Sequence, residues 1–143
     1  NDFWQMFAQE GAVIVSSSYT RVGGLYDLGF RHDSSDPMGT LADYCLGCYT
    51  NLGLPSRIDL LEKYIKEYEA DGFFINSVKS CNSFSAGQLL ILRELEERTG
   101  VPGGFVESDL VDPRYFSKSN IDNRVQSYLQ MLEAKRQGGF AAA

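Results

Sequence analysis

The stretch Gly72-Phe73-Phe74-Ile75-Asn76 leads into Val78-Lys79-Ser80-Cys81-Asn82-Ser83-Phe84-Ser85-Ala86-Gly87-Gln88, and that into Leu89-Leu90-Ile91-Leu92-Arg93-Glu94-Leu95. A short apolar run opened by glycine reads as a buried strand, and the leucine-rich run reads as a helix. Cys81 then lies in the turn between them, at the carboxyl edge of a sheet. In open α/β sheets ligands and cofactors gather at that edge, and a helix start just beyond offers unpaired N–H groups and a partial positive charge that favour a thiolate.

Two further apolar runs extend the pattern outward. Ala12-Val13-Ile14-Val15 reads as a buried strand entered across Gly11, and Phe105-Val106-Glu107 as a third, after Pro102-Gly103-Gly104. Strands alternating with helices predict an α/β fold, a doubly wound three-layer sandwich around a short parallel sheet, Rossmann/flavodoxin-like. Parallel strands place two more exits beside Cys81. One is the hydroxyl-rich Ser16-Ser17-Ser18-Tyr19-Thr20, which either lines the same cleft or satisfies its own turn. The other is Ser108-Asp109-Leu110-Val111-Asp112-Pro113-Arg114-Tyr115-Phe116-Ser117.

The helices have legible punctuation. Asp2 to Glu10 forms a short amphipathic helix stopped by Gly11. Asp36-Pro37 opens a helix over 38–49, a carboxylate cap with proline in the first turn, and Leu41, Tyr44, Cys45 and Cys48 share its apolar face. After Pro55, Ser56 and Asp59 are spaced as a capping box, with Ile58, Leu61, Ile65 and Tyr68 as the buried stripe and Glu62, Lys63, Lys66 and Glu67 facing water. Ser85 and Gln88 suggest a second capping box for the helix that Gly100 ends. The last helix covers about 119–136, with Ile121, Val125, Tyr128, Leu129 and Leu132 inward, and Gly138-Gly139 ends it. Between the first two helices, residues 21–36 read as a long ordered loop over a site or partner; the lone His32 in it is most simply a polar loop position.

At 143 residues the chain is one domain's worth. It starts at Asn1 rather than methionine, which suggests a piece of a longer polypeptide whose shared sites are incomplete here. Apolar residues make up 43% and charged residues 22%, as in a soluble globular domain, and no run approaches the ~20 apolar residues of a spanning helix. No export signal opens the chain. A net charge of −6 with scattered basic residues argues against nucleic acid as a partner. Three cysteines without a secretion signal point to reduced thiols in the cytoplasm, either packing groups or metal ligands.

Cys45-Leu46-Gly47-Cys48 has the two-residue spacing that lets both sulfurs reach one centre. It lies in a helical pattern, not just after a strand as a thioredoxin-like motif does, and a four-thiolate zinc site would lack a fourth cysteine. Cys81 joins the pair if the helix folds over the sheet edge, and three thiolates leave one iron of a four-iron cluster open. Packing remains the alternative for Cys45 and Cys48; for Cys81, in a polar turn, packing explains less.

Asp71-Gly72-Phe73-Phe74-Ile75-Asn76-Ser77-Val78-Lys79-Ser80-Cys81, with Asp109-Leu110-Val111-Asp112-Pro113-Arg114-Tyr115-Phe116-Ser117 and Asn123-Arg124, resembles the C-terminal domain of the benzoyl-CoA reductase and 2-hydroxyacyl-CoA dehydratase family. The dehydratase form carries a basic residue after the cysteine. Here Asn82-Ser83-Phe84-Ser85-Ala86-Gly87-Gln88 stands instead, and with Val22-Gly23-Gly24-Leu25-Tyr26-Asp27-Leu28-Gly29-Phe30 it looks more like the B- or C-type subunits of ATP-dependent benzoyl-CoA reductases.

The resemblance implies one α/β domain, residues 1–143, of a two-domain catalytic subunit, with a 4Fe–4S cluster held between the domains. Cys81 matches the ligand that the second domain contributes; Cys45 and Cys48 rest on spacing alone. Ser80, Asn82 and Ser83 would surround the sulfur, and no catalytic residue is assigned. The implied partners are a homologous second catalytic subunit, ATP-dependent electron-activating subunits and an aromatic acyl-CoA. The isolated piece is expected to hold no cluster, since its ligand shell is partial, and to be inactive. A 2-hydroxyacyl-CoA dehydratase subunit is the nearest alternative. A domain with structural cysteines that serves only interaction is the second.

Overall fold

The computed structural model describes residues 2–18, 29–109, 111–115 and 117–139. The order is α1 (Asp2–Gln9), α2 (Pro37–Leu46), a 3-10 turn (Tyr49–Asn51), α3 (Leu54–Glu67), β1 (Phe73–Val78), the one-turn helix α4 (Asn82–Ser85), α5 (Gln88–Thr99), β2 (Gly103–Ser108), a second 3-10 turn (Pro113–Tyr115) and α6 (Lys118–Gly139). Among the described residues no helix is long and apolar enough to cross a membrane.

β1 and β2 pair in parallel, from Phe73 opposite Gly103 to Val78 opposite Ser108. Side chains alternate across the pleat, so the two strands feed two separate cores. Phe74 and Val106 pack with Met6 and Phe7 of α1 and with Ile121 and Val125 of α6. Phe73 and Ile75 pack with Ile58 and Ile65 of α3 and with Ile91 and Leu95 of α5. Helices thus cover both faces, as an α/β sheet with apolar residues on both sides requires. Gly103 and Gly104 make the aromatic packing possible: a Cβ at 103 would strike Leu92 and the Phe73 ring, and one at 104 the rings of Phe74 and Tyr128.

Residues 12–15 correct the expectation of a third buried strand. The segment has no regular secondary structure and no ladder partner among the described residues, and Val13 is 84% exposed, with Ile14 and Val15 also exposed. Only Ala12 reaches the α1–α6 core. An apolar run has the propensity for a strand, but a neighbour at hydrogen-bonding distance makes one. Of the loop expected over 21–36, residues 21–28 lie outside the described residues, as do Tyr19 and Thr20.

Three helix expectations change. The Asp36 cap is present, its Oδ1 accepting the Gly39 N–H at 2.9 Å, but α2 ends at Leu46 and buries nothing: Met38, Leu41 and Leu46 are all exposed. The Ser56–Asp59 box is absent. α3 starts at Leu54 behind Gly53, with Pro55 supplying a first-turn φ and no N–H to satisfy. Its buried residues are Arg57, Ile58, Leu60, Tyr64 and Ile65, while Tyr68 is exposed. The Ser85–Gln88 box is absent too. α5 begins behind Gly87 at φ +79°, the Ser85 hydroxyl donates to the Val78 carbonyl, and Gln88 Nε2 donates to the Phe84 carbonyl at 3.0 Å. Gly100 ends α5 at φ +69° as expected, and α6 runs through Gly139 with Ile121, Val125 and Tyr128 buried.

Candidate functional site

At the carboxyl ends of β1 and β2 the ladder is extended by side chains. Ser108 Oγ donates to Asn76 Oδ1 at 2.6 Å, and the Lys79 N–H donates to the Ser108 carbonyl at 2.9 Å. One residue further, Ser80 donates both its N–H and its hydroxyl to the carboxylate of Asp109, each at 2.9 Å. Asp109 Oδ1 also accepts the N–H groups of Val111 at 2.8 Å and Asp112 at 3.1 Å. Those donors, the Val111 and Asp112 amides first, hold the Asp109 carboxyl below the usual carboxylate range.

Cys81 follows directly. Its N–H donates to the Val78 carbonyl at 3.1 Å, and its carbonyl accepts the N–H groups of Phe84 at 3.1 Å and Ser85 at 2.9 Å. The cysteine therefore caps the one-turn helix α4, with α5 starting only after the Gly87 turn. Its thiol is in no disulfide and is half-buried, flanked by exposed Ser80, Asn82 and Ser83. Of these three, Ser80 is committed to Asp109.

The other two thiols lie where α2 gives way to the 3-10 turn. Cys45 is exposed and its carbonyl accepts Asn51 Nδ2 at 2.6 Å; Cys48 is half-buried and its thiol donates to the Tyr44 carbonyl at 3.5 Å. The turn after Cys48 meets the turn after Cys81 through Tyr49 and Phe84, whose ring centroids are 5.9 Å apart. Of the hydroxyl-rich exit after residues 12–15, Ser18 interacts with Tyr49, while Tyr19 and Thr20 lie outside the described residues. Burial raises the Tyr49 phenol above its ordinary value, with Arg57 opposing. Among the described residues no three His, Cys, Asp or Glu side chains are gathered as for a metal ion, so the two cysteine turns share an edge without forming a closed ligand shell. His32 packs on Phe30 and on Tyr44 of α2, at 5.2 and 6.3 Å between centroids.

Two residues important to this edge were not singled out from sequence. Asp109 had a signal, an acidic residue directly after a strand and facing the Ser-Cys turn in a parallel register. Arg57 had none: it is 7% exposed on α3, donating Nε to the Leu52 carbonyl at 2.9 Å and Nη2 to the Thr50 carbonyl at 2.6 Å, with its guanidinium 5.3 Å from the Tyr49 centroid. Beyond them, Lys79 bridges Glu107 at 3.3 Å and lies 4.8 Å from the Tyr115 centroid, while Arg114 grips Asp112 with two nitrogens.

Chemically, Cys81 is a half-buried soft donor in a backbone-fixed polar turn at the carboxyl edge of the sheet. Residues 1–132 match the family model described as "2-hydroxyglutaryl-CoA dehydratase, D-component". The B subunit of benzoyl-CoA reductase from Thauera aromatica is 67% identical over 141 residues, 99% of this chain and 33% of that protein. The alpha subunit of lactoyl-CoA dehydratase from Anaerotignum propionicum is 28% identical over 116 residues, 80% of this chain and 27% of that protein. The (R)-2-hydroxyisocaproyl-CoA dehydratase alpha subunit of Clostridioides difficile is 29% identical over 83 residues, 55% of this chain and 20% of that protein. The chain thus spans a third or less of the length of these relatives.

Proposed function

The chain belongs to the 2-hydroxyglutaryl-CoA dehydratase D-component family, and from that premise we propose that it is the C-terminal domain of a catalytic subunit of an ATP-dependent benzoyl-CoA reductase. The observation that carries the choice of reductase is the 67% identity to the B subunit of benzoyl-CoA reductase across nearly the whole chain, against 28% for the lactoyl-CoA dehydratase relative. A 2-hydroxyacyl-CoA dehydratase subunit is the second reading, favoured by the family description and by the dehydratase relatives.

In this reading the domain has a doubly wound three-layer, Rossmann/flavodoxin-like architecture, supported by helices on both faces of the parallel pair. Cys81, with Cys45 and Cys48 as the further candidates, gives thiolates to a 4Fe–4S cluster completed from outside this chain. The softness of the donors and their at least partial exposure support this assignment. When bound, such a cluster supplies single low-potential electrons to an aromatic acyl-CoA thioester. The chain's own residues orient and shield: the Ser80–Asp109 and Cys81–Val78 bonds fix the turn, and Asn82 and Ser83 stand ready to donate to sulfur. The partners are a homologous second catalytic subunit and ATP-dependent electron-activating subunits. Three thiols outside any disulfide support a reducing, cytoplasmic setting, and the exposed apolar residues Met38, Leu41 and Leu46 on α2 support burial against protein beyond this chain.

The test is anaerobic reconstitution of the full-length subunit. Cys81→Ala is expected to lose bound iron and at least about a hundredfold in reductase turnover, since loss of a ligand exceeds loss of its supporting hydrogen bonds. Retained cluster and turnover in that variant dismisses the reading. Cys45→Ser and Cys48→Ser, assayed in parallel, decide whether that pair shares the shell.

A further inference from the structure

The carboxylate of Asp109 accepts four hydrogen bonds from two segments that are remote in sequence. Ser80 N–H reaches Oδ2, and Ser80 Oγ–H, Val111 N–H and Asp112 N–H reach Oδ1. Two of the donors belong to the turn leaving β1 and two to the chain leaving β2. The Ser80 amide is one residue from Cys81, whose own amide and carbonyl are already engaged by Val78, Phe84 and Ser85. Fixing Ser80 therefore restrains the backbone on the N-terminal side of the cysteine. We propose that Asp109 is a positioning residue: by locking the β1 exit onto the β2 exit, it sets the direction in which the Cys81 sulfur is presented at the sheet edge.

This role rests on Cys81 being a cluster ligand. It gives the chain's contribution to the ligand shell a rigid base made from two strands instead of one loop. An ionised carboxylate suits the task because it is acceptor-only and can take all four donors at once. An asparagine keeps one oxygen, whose two lone pairs serve at most two of the three donors at Oδ1, and turns an NH2 group toward the Ser80 amide.

The experiment uses the full-length subunit in two states. In the cluster-free state, the rate of maleimide labelling at Cys81, followed by peptide mass spectrometry, reports how often the turn opens. Asp109→Ala is expected to raise that rate on the order of tenfold, Asp109→Asn to raise it less, and Ser80→Ala, which removes one hydrogen bond and keeps the fold, to fall between wild type and Asp109→Ala. In the reconstituted state, Asp109→Ala is expected to shift the cluster's midpoint potential and its electron paramagnetic resonance spectrum, with Asp109→Asn restoring part of the shift. Unchanged labelling in both Asp109→Ala and Ser80→Ala overturns the inference. Faster labelling alongside a Cys81→Ala variant that keeps its iron refutes the cluster reading instead, and with it the positioning role. If Asp109→Ala does not fold, Ser80→Ala alone decides.

Discussion

Removing the guanidinium of Arg57 tests whether the Cys48 turn is held to the rest of the domain as described. Arg57 is 7% exposed, donates to the carbonyls of Leu52 and Thr50 at 2.9 and 2.6 Å, and lies 5.3 Å from the Tyr49 ring centroid. Two charge-assisted hydrogen bonds to backbone, partly exposed at the acceptor end, and one cation–π contact together stabilise the fold by about 3 kcal/mol. Arg57→Ala should therefore lower the urea midpoint, followed by circular dichroism, by about 1.5 M for a slope of about 2 kcal/mol/M. Arg57→Met keeps most of the apolar packing and is expected to lose nearly as much. Arg57→Lys keeps the charge but not the two-pronged geometry and should lie midway. If Arg57→Ala falls within about 0.5 kcal/mol of wild type, the guanidinium is not the brace of this turn, and the Tyr49–Phe84 contact has to stand on apolar packing alone.

Tyr128→Phe should cost about 1 kcal/mol in the same assay, because it strips the Pro102 carbonyl of its 3.1 Å donor while keeping the ring on Phe74. A melt identical to wild type would show that water replaces the phenol there. The pH dependence has a defined sign at the α3–α5 junction. Lys66 and then Arg98 hold the Glu62 carboxyl below its ordinary value, so its contribution is fully present above the unfolded glutamate value of about 4.3 and is lost as pH falls through the lower folded value. Hydrogen exchange along α3 is expected to accelerate in that acid window, and in Arg98→Ala to do so from a higher pH.

What could be read from residues alone follows the number of neighbours each element needs. β1, the Cys81 turn, α5, β2 and the inward face of α6 carry their own signals: apolar runs bounded by glycine, a 3.6-residue period, Gly100 as a stop. Residues 12–15 carry the same apolar signal, yet pairing needs a partner strand, and composition does not say which edge supplies one. The two capping boxes failed for a local reason. Pro55 in the first turn of α3 and the left-handed Gly87 before α5 start those helices by backbone geometry, which released Asp59 to pair with Arg98 at 3.0 Å and Ser85 to bond the Val78 carbonyl. At the sheet edge, the place of Cys81 was legible because an apolar run bounded by glycine ends just before it and a helical pattern starts soon after. Arg57 was not, since an arginine at a helical position reads as solvated unless the carbonyls it serves, from a turn five to seven residues upstream, are known.

The glycine pair of β2 carries a further consequence. Phe73 and Phe74 occupy the room that side chains at 103 and 104 would otherwise fill, so each ring and its opposite glycine divide one fixed volume across the ladder. Substitution surveys that vary these positions singly would score all four as intolerant, although the constraint belongs to the pairs. A methyl at 104 becomes admissible only where the ring at 74 gives way, and a lineage could move bulk from one strand to the other without disturbing either helix layer.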